Sequence, residues 1–220
     1  MTVPPRTGIR ISRFGFDAEK VRHVPFFVDE AFWRPLHRDT AGVCAVGDSH
    51  RDYGTLIEAM DGLDVPCRIA TRVRPDAKLT SDWADTARSL AGRPLPDNVT
   101  LGAATVVELR EIYARSRVVV VPVLPEALSD YGITVTTQAM SMGKALICSR
   151  TGGLHSVEDG VTALLVDPCD AQALRAAIEY LLTHPDVAER LGAAGRERAV
   201  KVHAMSTFVR KVCEIVDEVA

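Results

Sequence analysis

From residue 41 onward, short apolar runs rich in β-branched residues alternate with segments of helical periodicity, and this alternation limits the possible folds more than any other feature. Most of the runs are apolar on both faces, and RVVVVPV is the clearest of them. A strand of a parallel sheet needs that composition, because helices cover both of its faces. Six strands are predicted, at Gly42–Val46, Cys67–Thr71, Val99–Leu101, Arg117–Val123, Ala145–Cys148 and Ala163–Val166.

The segments between these strands carry apolar residues at helical spacing. The three clearest stripes are Val106, Leu109, Ile112 and Tyr113; Leu174, Ile178 and Leu181; and Phe208, Val212, Ile215 and Val219. A weaker pattern around Ser81–Leu90 predicts one more helix. Strands that alternate with helices through short connections are typical of a doubly wound α/β domain, here with a six-stranded, mostly parallel sheet.

The composition excludes several classes of protein. The chain has 220 residues, 47% of them apolar, and a net charge of 26 − 29 = −3, so it is not a disordered chain. Without a basic excess, no nucleic-acid partner is expected. No apolar run approaches the roughly 20 residues that span a bilayer, so no membrane span is predicted. The N-terminal MTVPPRTGIR lacks the apolar core of a signal peptide, which predicts a cytoplasmic location.

Cysteine and histidine are placed without any metal-ligand spacing. The five cysteines include no C-x-x-C pair, and the six histidines are scattered. Cys44, Cys67 and Cys148 fall in or beside the apolar runs, so they are predicted to be buried free thiols of a reducing compartment. No metal site is predicted.

The first 40 residues differ from the rest in their aromatic content. Five of the six phenylalanines and one of the two tryptophans lie there, in a segment of low regularity. Such a segment needs a surface to pack against. Two interpretations are equally open: it wraps over the core formed by residues 41–220, or it belongs to an interface with a second domain outside this chain.

Two loops are expected to face each other at the ligand crevice. An open doubly wound sheet binds ligands beyond the carboxyl ends of its strands, where the strand order reverses. If the order is 3-2-1-4-5-6, the crevice lies between the loops Gly47–Gly54 and Pro122–Gly132. The helix that begins near Gly132 offers free N–H groups to a phosphate, and Arg51 offers a cation. The residues alone thus indicate a nucleotide diphosphate as ligand.

Taken one at a time, these residues have simpler explanations. The first loop is neither the G-x-G-x-x-G fingerprint nor a G-x-x-x-x-G-K-[ST] phosphate loop. Asp130 alone is better explained as a helix N-cap. Gln138, about two turns further along, is on its own more typical of a solvated helix position.

A resemblance to a known family joins these pieces. The stretch DYGITVTTQAMSMGKALI, from Asp130 to Ile147, resembles the donor-site signature of retaining GT-B glycosyltransferases of the family 4 type. In that signature two acidic residues with seven between them precede A-M-x-x-G-K and a strand. Five further segments resemble the family in the same order along nearly the whole chain: Val24–Pro35, Gly47–Met60, Asn98–Pro122, Thr151–Leu174 and His184–Val200.

The resemblance implies a fold of two Rossmann-like lobes, of which the first binds the acceptor and the second the nucleotide-sugar donor. This chain resembles the second lobe (residues 41–220), preceded by the segment that connects the lobes (residues 1–40). The implied partners are a nucleotide-sugar donor, an acceptor that is a sugar, a lipid-linked or another small molecule, and a separate N-terminal lobe or subunit. The implied reaction is a retaining transfer that needs no metal and no cofactor.

The family's residue roles map onto this sequence position by position. Asp130 falls where an acidic residue contacts the hydroxyls of the donor sugar, and Gln138 where one holds the ribose hydroxyls. Arg51 falls at a phosphate-binding cation, so Asp130 and Arg51 are the catalytic residues that the resemblance implies. The implied donor-binding set is Gly47, Arg51, Asp130, Tyr131, Gly132, Ile133, Gln138, Gly152 and Gly153.

Several positions depart from the family pattern. Asp130 is one methylene shorter than the usual Glu, and Gln138 has lost the charge, although its amide still pairs with a hydroxyl. Asp48 stands where an arginine usually follows the first-loop glycine, which leaves one cation where two are usual. Ala163 replaces a glycine.

The sequence therefore predicts a glycosyltransferase donor-binding domain, of the kind used in polysaccharide biosynthesis, which needs a partner lobe for efficient transfer. The departures favour an alternative, a non-catalytic module that binds a nucleotide-sugar or a partner through a degraded donor site. A sugar-nucleotide epimerase of the same fold is a further hypothesis, and it would also need both lobes.

Overall fold

Six parallel strands form one sheet, with helices on both of its faces. A computed structural model of the chain describes residues 21–74, 83–127 and 129–219. The strands are β1 (Val43–Val46), β2 (Cys67–Ala70), β3 (Val99–Gly102), β4 (Val118–Val121), β5 (Ala145–Ser149) and β6 (Leu164–Val166). Their spatial order is β3-β2-β1-β4-β5-β6, and every neighbouring pair is parallel. The predicted fold class and strand order are confirmed.

The described residues form seven α-helices. They are α1 (Tyr53–Met60), α2 (Ala84–Leu90), α3 (Val106–Arg115), α4 (Ile133–Ser141), α5 (Ala171–Thr183), α6 (Pro185–Val202) and α7 (Met205–Val219). None of these helices is long and apolar enough to cross a membrane. The weakly patterned helix was predicted to begin at Ser81; α2 begins at Ala84, and residues 81 and 82 lie outside the described residues.

The sheet separates two apolar cores, and alternate residues of each strand point into one or the other. In β4, Val118 and Val120 pack with α1, α2 and α5, whereas Val119 and Val121 pack with α3 and α4. All four side chains are at most 1% exposed. Burial on both faces explains why the central strands read as continuous apolar runs.

The predicted limits of β4 were too wide at the carboxyl end. Pro122 has no N–H to give to a neighbouring strand, and the N–H of Val123 is bonded to the Ser149 hydroxyl at 2.9 Å. The strand therefore ends at Val121. After this early end, the chain leaves the sheet and enters the loop Pro122–Gly132, which is predicted to face the ligand crevice.

Three of the five cysteines are buried in these cores as free thiols, as predicted: Cys44, Cys67 and Cys148. Burial raises the pKa of Cys44 to about 12, although a hydrogen bond with Ser116 and the charge of Lys144 oppose it. The described residues contain no group of His, Cys, Asp and Glu side chains that could hold a metal ion.

The aromatic segment before the sheet packs on the domain. Trp33 is 6% exposed and meets the buried ring of Tyr113 edge-on, with ring centroids 5.7 Å apart. Phe27 lies against Phe208 of α7 at 4.6 Å, while Phe26 stays 39% exposed. The described part of this segment therefore wraps over the core. Phe14 and Phe16 lie outside the described residues, and the domain boundary at residue 40 remains a prediction.

His203 fastens this segment to the junction of α6 and α7. Its backbone carbonyl accepts from the N–H of Val28 at 2.7 Å, and its Nδ1 lies 2.8 Å from the Phe26 carbonyl. Its Nε2 is buried without a hydrogen-bond partner among the described residues. Burial lowers the pKa of His203 below its ordinary value, against the opposing effect of the Phe26 bond.

We expect His203 to make the domain less stable in mild acid. The unfolded chain binds a proton at this histidine more readily than the folded chain, so the free energy of unfolding falls as the pH drops below about 6.5. Urea unfolding at about pH 7.5 and pH 5.5 measures the loss. His203→Gln, which keeps a donor for Phe26 but does not titrate, should show a smaller loss. Exposed His184→Gln is the control, and equal losses in all three proteins would contradict this role.

Candidate functional site

A cavity of about 560 Å³ opens at the carboxyl edge of the sheet, where the strand order reverses between β1 and β4. The loops after β1, β2 and β3 form one side of it, and the first turns of α4 form the other. Four of the predicted donor-site residues line this cavity: Gly47, Arg51, Tyr131 and Gln138. This is the crevice that the strand order predicts.

Arg51 is built into the loop after β1. Its side chain is 3% exposed, with Nε donating to the Val46 carbonyl and Nη1 to the Ser49 carbonyl, both at 3.0 Å. The remaining Nη2 has no hydrogen-bond acceptor among the described residues. Arg51 therefore holds the loop with its Nε and Nη1 atoms, and its Nη2 atom remains in a side chain that lines the cavity.

Gly47 makes room for this arginine. Its φ is 123°, a conformation that L side chains rarely adopt, and a Cβ there would lie 2.7 Å from Arg51 Nη2. The hydroxyl of buried Tyr53 donates to the Gly47 carbonyl at 2.6 Å. The β1 loop is thus held by Tyr53, which bonds Gly47, and by the Arg51 guanidinium, which packs closely against Gly47.

Asp48 does not stand as a free negative charge beside the cavity. It accepts from the Thr71 hydroxyl at 2.9 Å and from the N–H and Nε of Arg72 at 2.8 and 2.7 Å. Burial raises the pKa of Asp48, but the bonds from Arg72 and Thr71 outweigh burial and leave it below its ordinary value. Arg72 thus brings a second arginine to the cavity wall, where it is paired with Asp48.

The interpretation of Asp130 as a helix N-cap is wrong. Gly132 is the N-cap of α4 and has no side-chain cap, so the N–H groups of Thr134 and Val135 find no acceptor among the described residues. Gly132 is required here because a Cβ would lie 2.8 Å from Val121. An uncapped helix start with free N–H groups therefore meets the cavity.

The Asp130 carboxylate is bonded to the loop after β5 and not to the N–H groups of that helix start. Its Oδ2 accepts from the backbone N–H groups of His155 at 3.3 Å and Ser156 at 3.2 Å. Its Oδ1 is buried and has no partner among the described residues. Asp130 thus holds two loops together and is not among the residues that line the cavity.

The glycines after β5 serve the same junction. A Cβ on Gly153 would lie 2.4 Å from the backbone of Ser129, so only glycine lets the two loops approach so closely. Gly152, Gly153, Gly132 and Ile133 lie outside the cavity lining. These predicted donor-site residues are brought beside the cavity and not into its wall.

Gln138 and Tyr131 reach the cavity from α4 and the turn before it. The hydroxyl of buried Tyr113 donates to Gln138 Oε1 at 3.3 Å, and the amide nitrogen of Gln138 has no acceptor among the described residues. Burial raises the pKa of Tyr113 well above its ordinary value, so this phenol keeps its proton. Tyr131 is 40% exposed and stacks on His50, with ring centroids 3.8 Å apart.

Lys144, the lysine of the A-M-x-x-G-K stretch, serves the fold. Its Nζ donates to the carbonyls of Ala114 and Ser116 at 2.7 and 3.1 Å, at the carboxyl end of α3. A cation at that end is favoured by the helix dipole as well as by the two hydrogen bonds. No spacing in the sequence links residue 144 with residues 114–116, so this role could not be predicted.

The fold is that of a Rossmann-like domain, with a cavity at its switch point that exposes both polar and apolar groups. Residues 53–184 match the family model of glycosyl transferases group 1, and the chain belongs to that family. The resemblance to the donor lobe of GT-B glycosyltransferases is thereby confirmed.

Curated relatives and a solved structure agree with this assignment. The MMP alpha-(1->4)-mannosyltransferase of Mycolicibacterium hassiacum is 27% identical over 219 residues, which cover 94% of this chain and 51% of that protein. The alpha-maltose-1-phosphate synthase of Mycobacterium tuberculosis H37Rv is 30% identical over 222 residues, which cover 96% of this chain and 51% of that protein. HepE from Anabaena, in complex with UDP and glucose, has the same fold, with a TM-score of 0.75 at 16% identity over 96% of this chain and 60% of HepE. The chain spans about half the length of the curated relatives that it matches.

The position of Asp130 generates a prediction about loop order. Asp130→Ala removes the acceptor for the N–H groups of His155 and Ser156, so these amides should exchange with deuterium about tenfold faster. Glu126→Ala, an exposed acid in the same loop, is the control and should leave their exchange unchanged. Equal exchange in wild type and Asp130→Ala would show that the carboxylate does not hold this junction.

Proposed function

We propose that this domain binds the nucleotide-diphosphate sugar of a retaining glycosyltransferase in the cavity between the β1 loop and α4. One observation carries the proposal: the cavity brings an arginine side chain, an uncapped helix start and a side-chain amide together at the switch point of the sheet. HepE, which was solved with UDP and glucose, supports a nucleotide diphosphate as the kind of ligand.

The diphosphate is proposed to lie at the start of α4. The N–H groups of Thr134 and Val135, for which the described residues offer no acceptor, carry the positive end of the helix dipole, which stabilises an anion. Arg51 Nη2 adds a charge-assisted donor from the opposite wall. Because Arg51 is already fixed by two other bonds, placing this donor costs little conformational entropy.

Gln138 is proposed to bind the ribose. It lies almost two turns beyond the start of α4, and its amide nitrogen, which has no acceptor in the described part of the chain, can donate to a sugar hydroxyl. Tyr113 fixes the orientation of that amide, so the residue acts as a placed donor and not as a mobile one. This accounts for a neutral residue at a position where the resemblance implies an acid.

The chemistry proposed for these groups is stabilisation of the leaving diphosphate. Negative charge develops on its oxygens as the glycosidic bond to the sugar breaks, and donors that already point there lower the barrier. The carboxylate of Asp130 is proposed to act as a positioning group, since it is bound to the loop at residues 155 and 156. No metal or cofactor is proposed for this step.

The acceptor is proposed to bind to a second polypeptide segment, because the matched relatives are about twice as long as this chain. A sugar, a lipid-linked or another small molecule remains the proposed acceptor class. Transfer requires both substrates to be held in one water-poor cleft, so we expect this domain alone to bind the donor and to transfer it slowly.

The test is a thermal-unfolding panel with UDP, GDP, ADP, TDP and NAD. A ligand at 100 times its dissociation constant adds about 2.7 kcal/mol of stability, which should raise the midpoint of a domain of this size by roughly 5–10 °C. One nucleoside diphosphate is expected to give this shift. A shift with NAD alone would overturn the transferase proposal, and no shift with any ligand would favour the non-catalytic alternative, a degraded site.

Variants should separate binding from stability. Gln138→Ala removes the proposed ribose donor and should reduce the ligand-induced shift, each protein being compared with its own ligand-free midpoint. Arg51→Lys is preferable to Ala, because Ala would also remove the two bonds that hold the β1 loop. Arg150→Ala, an exposed arginine paired with Asp159, is the control and should keep the full shift.

A further inference from the structure

Asp48, Arg72 and Trp83 form a fixed stack on the cavity wall at the end of β2. Two contacts of the Arg72 guanidinium, from Nε and Nη2, reach Asp48 Oδ2 at 2.7 and 2.6 Å. Its Cζ atom lies over the Trp83 ring, 4.6 Å from the ring centre. The guanidinium is therefore held by a carboxylate at one edge and lies within cation–π distance of an aromatic ring.

Within the described part of the chain, this guanidinium keeps a surface that faces the cavity. The Arg72 side chain is 65% exposed although two of its nitrogens contact Asp48 Oδ2, and Arg72 and Trp83 both line the 560 Å³ cavity. An exposed arginine usually loses rotamer freedom when it binds a ligand. The contacts with Asp48 and Trp83 already restrict the rotamers of Arg72 in the folded domain, so binding a ligand costs less conformational entropy. This is the property of a preorganised binding surface.

The strand order places this stack where a nucleobase would lie. The proposed diphosphate and ribose sites lie on α4, which follows β4, and the cavity continues from there across β1 to the ends of β2 and β3. A nucleotide anchored at α4 thus extends its base toward Arg72. Asp48 accepts four contacts from Thr71 and Arg72, so its carboxylate is committed to the stack and not to the base.

We propose that the open face of the Arg72 guanidinium is the platform on which the nucleobase of the donor stacks, held in place by Asp48 and Trp83. This inference rests on the proposed donor site and assigns its base subsite. The base would continue the Trp83–Arg72 stack as a third layer, through cation–π and dispersion contact with any base. The charge of Arg72 is balanced by Asp48, so its contribution to phosphate binding is small.

Calorimetric titration of Arg72→Ala with UDP, GDP, ADP and inorganic pyrophosphate tests the platform. The nucleotide that binds wild type should bind the variant roughly tenfold more weakly, while pyrophosphate, which has no base, should bind within about twofold of wild type. Arg88→Ala is the matched control, because Arg88 is 62% exposed and lies on α2 outside the cavity lining. It should leave all affinities unchanged.

The outcomes separate this inference from the donor site itself. Unchanged nucleotide affinity in Arg72→Ala would overturn the platform and leave the donor site standing. Equal losses for nucleotide and pyrophosphate would also overturn it, by showing that Arg72 acts as a phosphate cation. If neither the nucleotides nor pyrophosphate bind wild type, both proposals fail.

A second variant changes Asp48, the residue that holds Arg72 in place. Asp48→Asn removes the charge that orients Arg72, so the ratio of nucleotide affinity to pyrophosphate affinity should fall. If Asp48 only repelled the diphosphate, both affinities would rise together and the ratio would stay constant, which would contradict the proposed role.

Discussion

The parallel pairing of β1 with β4 is the constraint on which the rest of the structure depends. Val43, Cys44 and Ala45 are paired with Val118, Val119 and Val120, and all six side chains are buried. Because the chain returns to the sheet beside β1 only after β2 and β3 have been laid on its other side, the loops after β1 and β4 diverge. The cavity between them is a consequence of this topology, and the side chains only decide what it binds.

Two buried cations of this domain, Arg51 and Lys144, donate hydrogen bonds to backbone carbonyls. Arg51 bonds two carbonyls of the β1 loop, and Lys144 bonds the last carbonyls of α3. Buried carbonyl groups without donors would be costly, so each of these residues supports the fold independently of function. The two positions differ in one respect: Arg51 has a further nitrogen at the cavity, whereas Lys144 lies at the opposite end of the sheet. A loss of activity in an Arg51 variant therefore cannot be assigned to catalysis until its stability is known.

The sequence predicts the sheet better than the site, for a physical reason. Strands buried on both faces carry their signal in consecutive residues, whereas Asp130 and Arg72 take their roles from partners far away in sequence. Asp130 follows the two-acid spacing yet bonds the loop after β5, because that loop packs against the turn before α4. Arg72 was missed although a signal exists: β1 and β2 pair in the register Val46 with Ala70, so the residues two positions further on, Asp48 and Arg72, emerge side by side with opposite charges.

Under the proposed function, the groups of this domain bind the diphosphate and by themselves support only slow transfer. Hydrogen bonds and dipoles that stabilise a leaving diphosphate are strong only where water is excluded, because a high dielectric weakens each of them many-fold. The cavity has Arg51 and the start of α4 on its walls, yet the Arg72 side chain beside them is still 65% exposed, so this surface remains in contact with solvent. A second surface that covers the cavity would exclude this water and strengthen each of these interactions. Under the proposed function, the described residues therefore recognise the donor, and efficient transfer depends on the surface that covers them.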